Sequence, residues 1–143
     1  MLMRELVDRK TNNLVTVKPE DDIRHAAATM IEHSVSALVV LSDDDDLSGI
    51  LTERDVARFF AATEEGARAS VSDAMTGDVI TCTPDHHVSE IVEIMSDSNI
   101  RHVPVLADGD VQAVITIRDI VRYHLTALQS ENQTLRELVA ALD

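Results

Sequence analysis

The chain has 143 residues and a formal net charge of −14, from 12 Lys+Arg against 26 Asp+Glu. That length is enough for one compact domain or for two small units sharing a core, and so acidic a balance excludes non-specific nucleic-acid binding, which draws on clustered cations facing phosphates. No apolar run approaches the roughly 20 residues of a membrane span and no signal-peptide pattern opens the chain, so a cytoplasmic protein without a membrane partner is expected. At 45% apolar and 27% charged residues the composition is that of an ordinary globular protein. The single cysteine, Cys82, excludes an internal disulfide and a cysteine-based zinc site, and reads as a small buried hydrophobe. With Phe59, Phe60 and Tyr123 the only aromatics, the core must be built from aliphatic side chains and methionine.

In chain order, Leu14 to Val17 reads as a short alternating strand stopped by the turn at Pro19. Ile23, Ala26, Ala27 and Met30 then follow the spacing of one buried helix face. Ala37 to Leu41 has the length and β-branching of a buried strand, and Leu47 to Thr52 reads as the next one. The turn between them, Ser42-Asp43-Asp44-Asp45-Asp46, lacks the ligand spacing of a calcium loop and reads as a solvated hairpin turn. Thr52-Glu53-Arg54-Asp55 opens a further helix, and the Ala-, Glu-, Gly- and Ser-rich stretch from Ala62 to Val71 reads as a linker.

The same order then returns. Val79 to Cys82 with Pro84 repeats Leu14 to Val17 with Pro19 at an offset of 65, and Val88, Ile91, Val92 and Met95 repeat the first helix face. His102 to Leu106 and Val111 to Thr116 repeat the two strands, the second at an offset of 64 because its turn, Ala107-Asp108-Gly109-Asp110, is one residue shorter. His86-His87, just before the second helix, lacks metal-ligand spacing and reads as a surface or helix-start pair. Each half is thus expected to be strand, helix, strand, strand, helix. Neither half alone covers both faces of its sheet, so the two are expected to pack about a pseudo-two-fold axis, leaving equivalent clefts at the seam.

Thr52 and Asp55 have the spacing of a helix cap, and the same residues suit a ligand: an ionised carboxylate at a helix start can accept both hydroxyls of a ribose, and a threonine hydroxyl beside free N–H groups suits a ribose or phosphate oxygen. Both readings stand together.

These residues carry a family resemblance. Gly49-Ile50-Leu51-Thr52-Glu53-Arg54-Asp55 and Ala113-Val114-Ile115-Thr116-Ile117-Arg118-Asp119, supported by Asp73-Ala74-Met75-Thr76 and by Asn99-Ile100-Arg101-His102-Val103-Pro104-Val105, resemble the motifs of a tandem CBS domain pair, the Bateman module. The resemblance covers about residue 3 to about 125 and is to the stand-alone CBS-pair proteins. It implies an α/β (α+β) fold of two β-α-β-β-α repeats, with repeat 1 and an N-terminal helical segment at 1–62, a linker at 63–72, repeat 2 at 73–125 and a C-terminal helix extension at 126–143. It further implies a regulatory module that binds AMP, ADP, ATP or S-adenosylmethionine and reports to a regulated protein partner, with the pairs assembling as a homodimer. The alternative is a ligand-free homodimeric scaffold.

By that resemblance each site is composite. The stronger joins Gly49, Thr52, Arg54 and Asp55 to Ile80, Thr81, Thr83, Arg101, His102 and Pro104, with Arg101 and His102 as phosphate-facing cations. The weaker joins Thr116, Arg118 and Asp119 to Val15, Thr16, Val17, Ser36 and Ala37. There Ser36 and Ala37 stand where the first site has Arg101 and His102, and Ala113 replaces the family's glycine.

Beyond the repeats, Val121, Leu128, Leu135 and Leu142 recur every seven residues with Leu125 and Leu138 beside them, a seam for another helix, interrupted by His124, Glu131 and Asn132. It is expected to pack across a dimer partner or to cover the module's own edge. No catalytic or metal-binding motif is legible, so no catalytic residue, metal or catalytic cofactor is assigned and the chain is expected not to be an enzyme.

Overall fold

The computed structural model describes residues 1–10, 14–64 and 66–142. In chain order the elements are α1 (Met3–Arg9), β1 (Thr16–Val17), α2 (Ile23–His33), β2 (Ala37–Leu41), β3 (Leu47–Thr52), α3 (Glu53–Ala62), a 3-10 turn (Gly66–Arg68), α4 (Val71–Ala74), α5 (Val88–Ser98), β4 (His102–Ala107), β5 (Asp110–Thr116) and α6 (Ile117–Leu142). In the first half β1 pairs parallel to β2, and β2 pairs antiparallel to β3. In the second, β4 and β5 form an antiparallel pair.

Local chemistry fixes these boundaries. The Asp22 side chain accepts the His25 N–H at 2.6 Å and so starts α2. Both α2 and α5 end on a left-handed residue, Ser34 and Asn99, each at φ 53° and 65 positions apart. Asp108 and Gly109, both at positive φ, make the tight β4–β5 turn. His86 Nδ1 accepts the Thr83 N–H at 2.9 Å, and His87 caps α5 from its backbone, so the histidine pair serves the start of that helix.

Each half has its own core, and each core borrows a helix from outside its repeat. Val17, Ala26, Met30, Leu38, Val40 and Leu51 pack with Val71 of α4. Cys82, Ile91, Met95, Val103, Val105, Ile115 and Ile120 pack with Met3 and Leu6 of α1. Met3 is fully buried, which is worth about 1.5–3 kcal/mol. The exchange is reciprocal down to the backbone. Met3 N–H donates to His86 O at 2.8 Å and Arg4 N–H to Pro84 O at 2.9 Å; Val71 N–H donates to Asp21 O at 2.7 Å and Ser72 N–H to Pro19 O at 2.9 Å. The N-terminal segment, grouped by sequence with repeat 1, therefore packs into the second core. The stretch read as a linker ends in the first core; its residue 65 lies outside the described residues.

The strand expected at Val79 to Cys82 does not form. It shrinks to one parallel bridge, Cys82 to Val105. The cause is Pro104. In the first half Val39 N–H donates to Val15 O at 3.2 Å, and the residue matching Val39 is Pro104, which has no N–H to give. Residues 79–81 leave the sheet in consequence, and Ile80 is left 38% exposed.

Tyr123, with Arg9 stacked 4.4 Å over its ring, marks the end of the anchored part of α6. From His124 onward every described residue of the helix is exposed, Leu128 at 60% and Leu142 at 86% included. This overturns the expectation that the last turns cover the module's own edge: the helix runs past that edge. No helix is long and apolar enough to cross a membrane among the described residues.

Candidate functional site

Two clefts open at the seam between the halves. The first, about 570 Å³, lies within the roughly 300–1,000 Å³ typical of small-molecule sites; the second, about 250 Å³, falls just below that range.

The start of α3 forms one wall of the first cleft. Thr52 Oγ1 accepts the Asp55 N–H at 3.1 Å and Asp55 Oδ2 accepts the Thr52 N–H at 3.0 Å, a reciprocal capping box. Asp55 is 8% exposed, the one buried charged residue among those described. A buried charge is tolerated only when hydrogen-bonded or paired. Beyond the cap, Thr76 Oγ1 reaches Oδ1 at 3.4 Å and Arg58 stands 4.0 Å away. Oδ1 is thus weakly engaged and can take stronger donors. In the same cleft Ile50, Val79, Ile80, Ile100 and Ile117 supply apolar wall, and Arg54, Arg58, Arg101 and Arg118 line it from both halves. In a chain of charge −14, this concentration of arginine is what an anionic ligand requires.

Of the residues proposed from sequence for this site, Thr52, Arg54, Asp55, Ile80, Arg101 and His102 line the cleft. Gly49, Thr81, Thr83 and Pro104 do not. A Cβ on Gly49 would stand 2.7 Å from Met75 Sδ and from Thr76 O, so this glycine admits the chain after α4 against β3. Pro104 is fully buried and acts through the N–H it lacks. Thr83 holds the turn before α5 through its N–H to His86, and Thr81 is exposed outside the cleft. Sequence reasoning missed Thr76, Asp78 and Asn99, which also line it; the Asp73-Met75-Thr76 element was visible, but only the fold brings it beside Asp55.

His102 also departs from its expected part. Its Nε2 lies 2.7 Å from Ser36 Oγ, and it lines both clefts with Ser36, Thr116 and Arg118 as the partition between them. Burial, and then the Lys10 ammonium, push its pKa below the usual histidine value. It is a neutral hydrogen-bonding group at pH 7, and the cationic role falls to the arginines.

The second cleft repeats the cap: Thr116 N–H donates to Asp119 Oδ2 at 2.8 Å and Asp119 N–H to Thr116 Oγ1 at 3.1 Å. Val15, Ser36, Ala37, Thr116, Arg118 and Asp119 line it. Thr16 and Val17 do not, and Val17, 4% exposed, belongs to the first core. Lys10, assigned no role from the sequence, pairs with Asp119 at 2.9 Å. Burial raises the Asp119 carboxyl, but the Lys10 hydrogen bond and then the Thr116 N–H outweigh it and hold the group below the usual carboxylate range.

Cys82 is buried, and burial pushes its thiol up to about 11, which leaves it a core residue. No group of three or more metal-ligating side chains gathers among the described residues.

Comparison with known proteins agrees with the repeat. The CBS domain family model matches residues 4–62 and 71–126. An uncharacterized 17.7 kDa protein of Acidianus ambivalens is 34% identical over 113 residues, 78% of this chain and 68% of its own length. The crystal structure of a CBS-domain containing protein from Agrobacterium tumefaciens superposes with a TM-score of 0.80 at 37% identity, covering 85% of this chain and 91% of the other. The CBS domain pair of protein MJ0100, solved in complex with 5'-methylthioadenosine and S-adenosyl-L-methionine, superposes with a TM-score of 0.78 at 27% identity over 89% of this chain and 98% of its own.

Proposed function

Because the chain belongs to the CBS domain family and carries two copies of that domain, we propose that it is a non-catalytic regulatory module whose first cleft takes an adenosine-containing ligand of the AMP, ADP or ATP type. One observation carries this reading: the buried, weakly engaged carboxylate of Asp55 shares one cleft with an apolar wall and with arginines from both halves. A carboxylate so placed accepts the two hydroxyls of a ribose, the isoleucines sandwich a flat base, and guanidinium groups face phosphate. The relative with bound methylthioadenosine and S-adenosylmethionine supports the ligand class. Because both halves contribute to the cleft, a bound ligand bridges them, and that differential contact is what can shift their arrangement and be read by a partner protein.

The reading is tested by thermal melting with adenosine, AMP, ADP, ATP and S-adenosylmethionine. A ligand specific for the folded state raises the midpoint as its concentration passes its Kd. No rise up to millimolar concentration of any of them contradicts the reading.

A second reading, a ligand-free homodimeric scaffold, is favoured by the exposed leucines of α6, since an apolar stripe on a helix clear of its own core asks for cover. A homodimer through α6 is compatible with either reading. Light scattering on a chain truncated after Thr126 is expected to show monomer where the full chain shows dimer; a truncated chain that remains fully dimeric removes this helix from the interface.

A further inference from the structure

Asp55 and Asp119 are matched positions, and the two halves differ in what meets each of them. In the first half Thr76 meets both Ile50 and Asp55: its N–H donates to Ile50 O at 2.9 Å, its carbonyl accepts the Ile50 N–H at 3.0 Å, and its hydroxyl approaches Asp55 Oδ1 at 3.4 Å. In the second half the positions matching Ile50 and Asp55 are Val114 and Asp119, and a single ammonium group serves both. Lys10 Nζ donates to Val114 O and, at 2.9 Å, to Asp119 Oδ2. The fold delivers it there, because Lys10 follows directly on α1, the helix seated in the second core.

The pair is not an ordinary surface contact. Its side chains are 20% and 27% exposed, against 56% and 76% for Arg4 and Asp85. Asp119 thereby has a cation at contact distance, while Arg58 stands 4.0 Å from Asp55. We propose that Lys10 is a built-in occupant of the second cleft, engaging the carboxylate that a ribose would need, and that it is the residue that directs an adenosine ligand to the first cleft alone. Neither partner is free: the carboxylate's charge is compensated by Lys10, and the charge of Lys10 is committed to Asp119. The inference rests on the adenosine reading of the first cleft.

Calorimetric titration of AMP into the full-length protein, Lys10→Met and Lys10→Met/Asp119→Ala tests it; methionine keeps the stem and removes the charge. The wild type is expected to bind one equivalent, Lys10→Met two, and the double variant one again. Lys10→Met at one equivalent, or a wild type that already binds two, overturns the inference and leaves the adenosine reading standing. A silent wild type with one equivalent in Lys10→Met, lost in the double variant, upholds Lys10 as the occupant of the second cleft, and removes both the first-cleft reading and the role of Lys10 in directing ligand there. No heat from any of the three removes both. Should Lys10→Met fail to melt cooperatively, Lys10→Gln takes its place under the same outcomes.

Discussion

Gly49→Ala is expected to destabilise the fold by about 2–4 kcal/mol, through overpacking and the loss of backbone hydrogen bonds. The added methyl would sit 2.7 Å from both Met75 Sδ and Thr76 O. The thioether can swing aside, but the carbonyl cannot, because it accepts the Ile50 N–H at 3.0 Å while Thr76 N–H donates back to Ile50 O at 2.9 Å. The substitution must therefore push the chain after α4 away from β3 and break that bridge. The other half provides the control. Ala113 stands at the position matching Gly49, pairs with Val105 and is already an alanine, so Ala113→Gly should cost only about 0.5–1 kcal/mol in backbone entropy. Urea unfolding of both variants checks the contrast. If Gly49→Ala unfolds within about 0.5 kcal/mol of wild type, the close approach does not govern that site.

The second large effect falls on binding. Removing the Asp55 carboxylate deletes the acceptor proposed for two ribose hydroxyls. Hydrogen bonds to charged groups are worth about 1.5–3 kcal/mol each, so Asp55→Ala should weaken AMP binding by on the order of 100-fold or more. It also deletes half of the α3 capping box, at a cost of about 1 kcal/mol in stability. Asp55→Asn separates the two consequences. Its side-chain oxygen can still accept the Thr52 N–H, so the fold should hold while affinity falls at least about tenfold with the lost charge. Asp119→Ala, whose carboxylate is taken up by Lys10, should leave AMP affinity close to wild type. Calorimetry on the three variants decides: loss in Asp119→Ala with retention in Asp55→Ala would exchange the roles of the two clefts.

Much of this was legible along the chain because it is local. The helix faces at Ile23 to Met30 and Val88 to Met95, the strands at Ala37 to Leu41 and Leu47 to Thr52, and the caps at Thr52/Asp55 and Thr116/Asp119 all depend on neighbours within a few residues. What escaped depends on distant partners. Lys10 meets Asp119 across 109 positions, and nothing in a lone lysine announces that. The exchange of α1 and α4 between cores is hidden because each helix looks, in sequence, like the start of the repeat it precedes. Pro104 was in view, but its effect appears only when it is set against Val39, whose N–H holds the matching strand in place. Gly49 stands among the residues the resemblance places at the ligand, but it makes room for the chain's own backbone. His102 reads as a cation because histidine often is one, while burial and the nearby Lys10 lower its pKa and its Nε2 is engaged with Ser36.

The most direct test of the central claim is a crystal structure of the protein grown with AMP. The account predicts a nucleotide in the first cleft, its ribose hydroxyls on Asp55 and its phosphate among the arginines, with Lys10 still on Asp119. A nucleotide seated elsewhere, or an empty first cleft in crystals grown at saturating AMP, would contradict it.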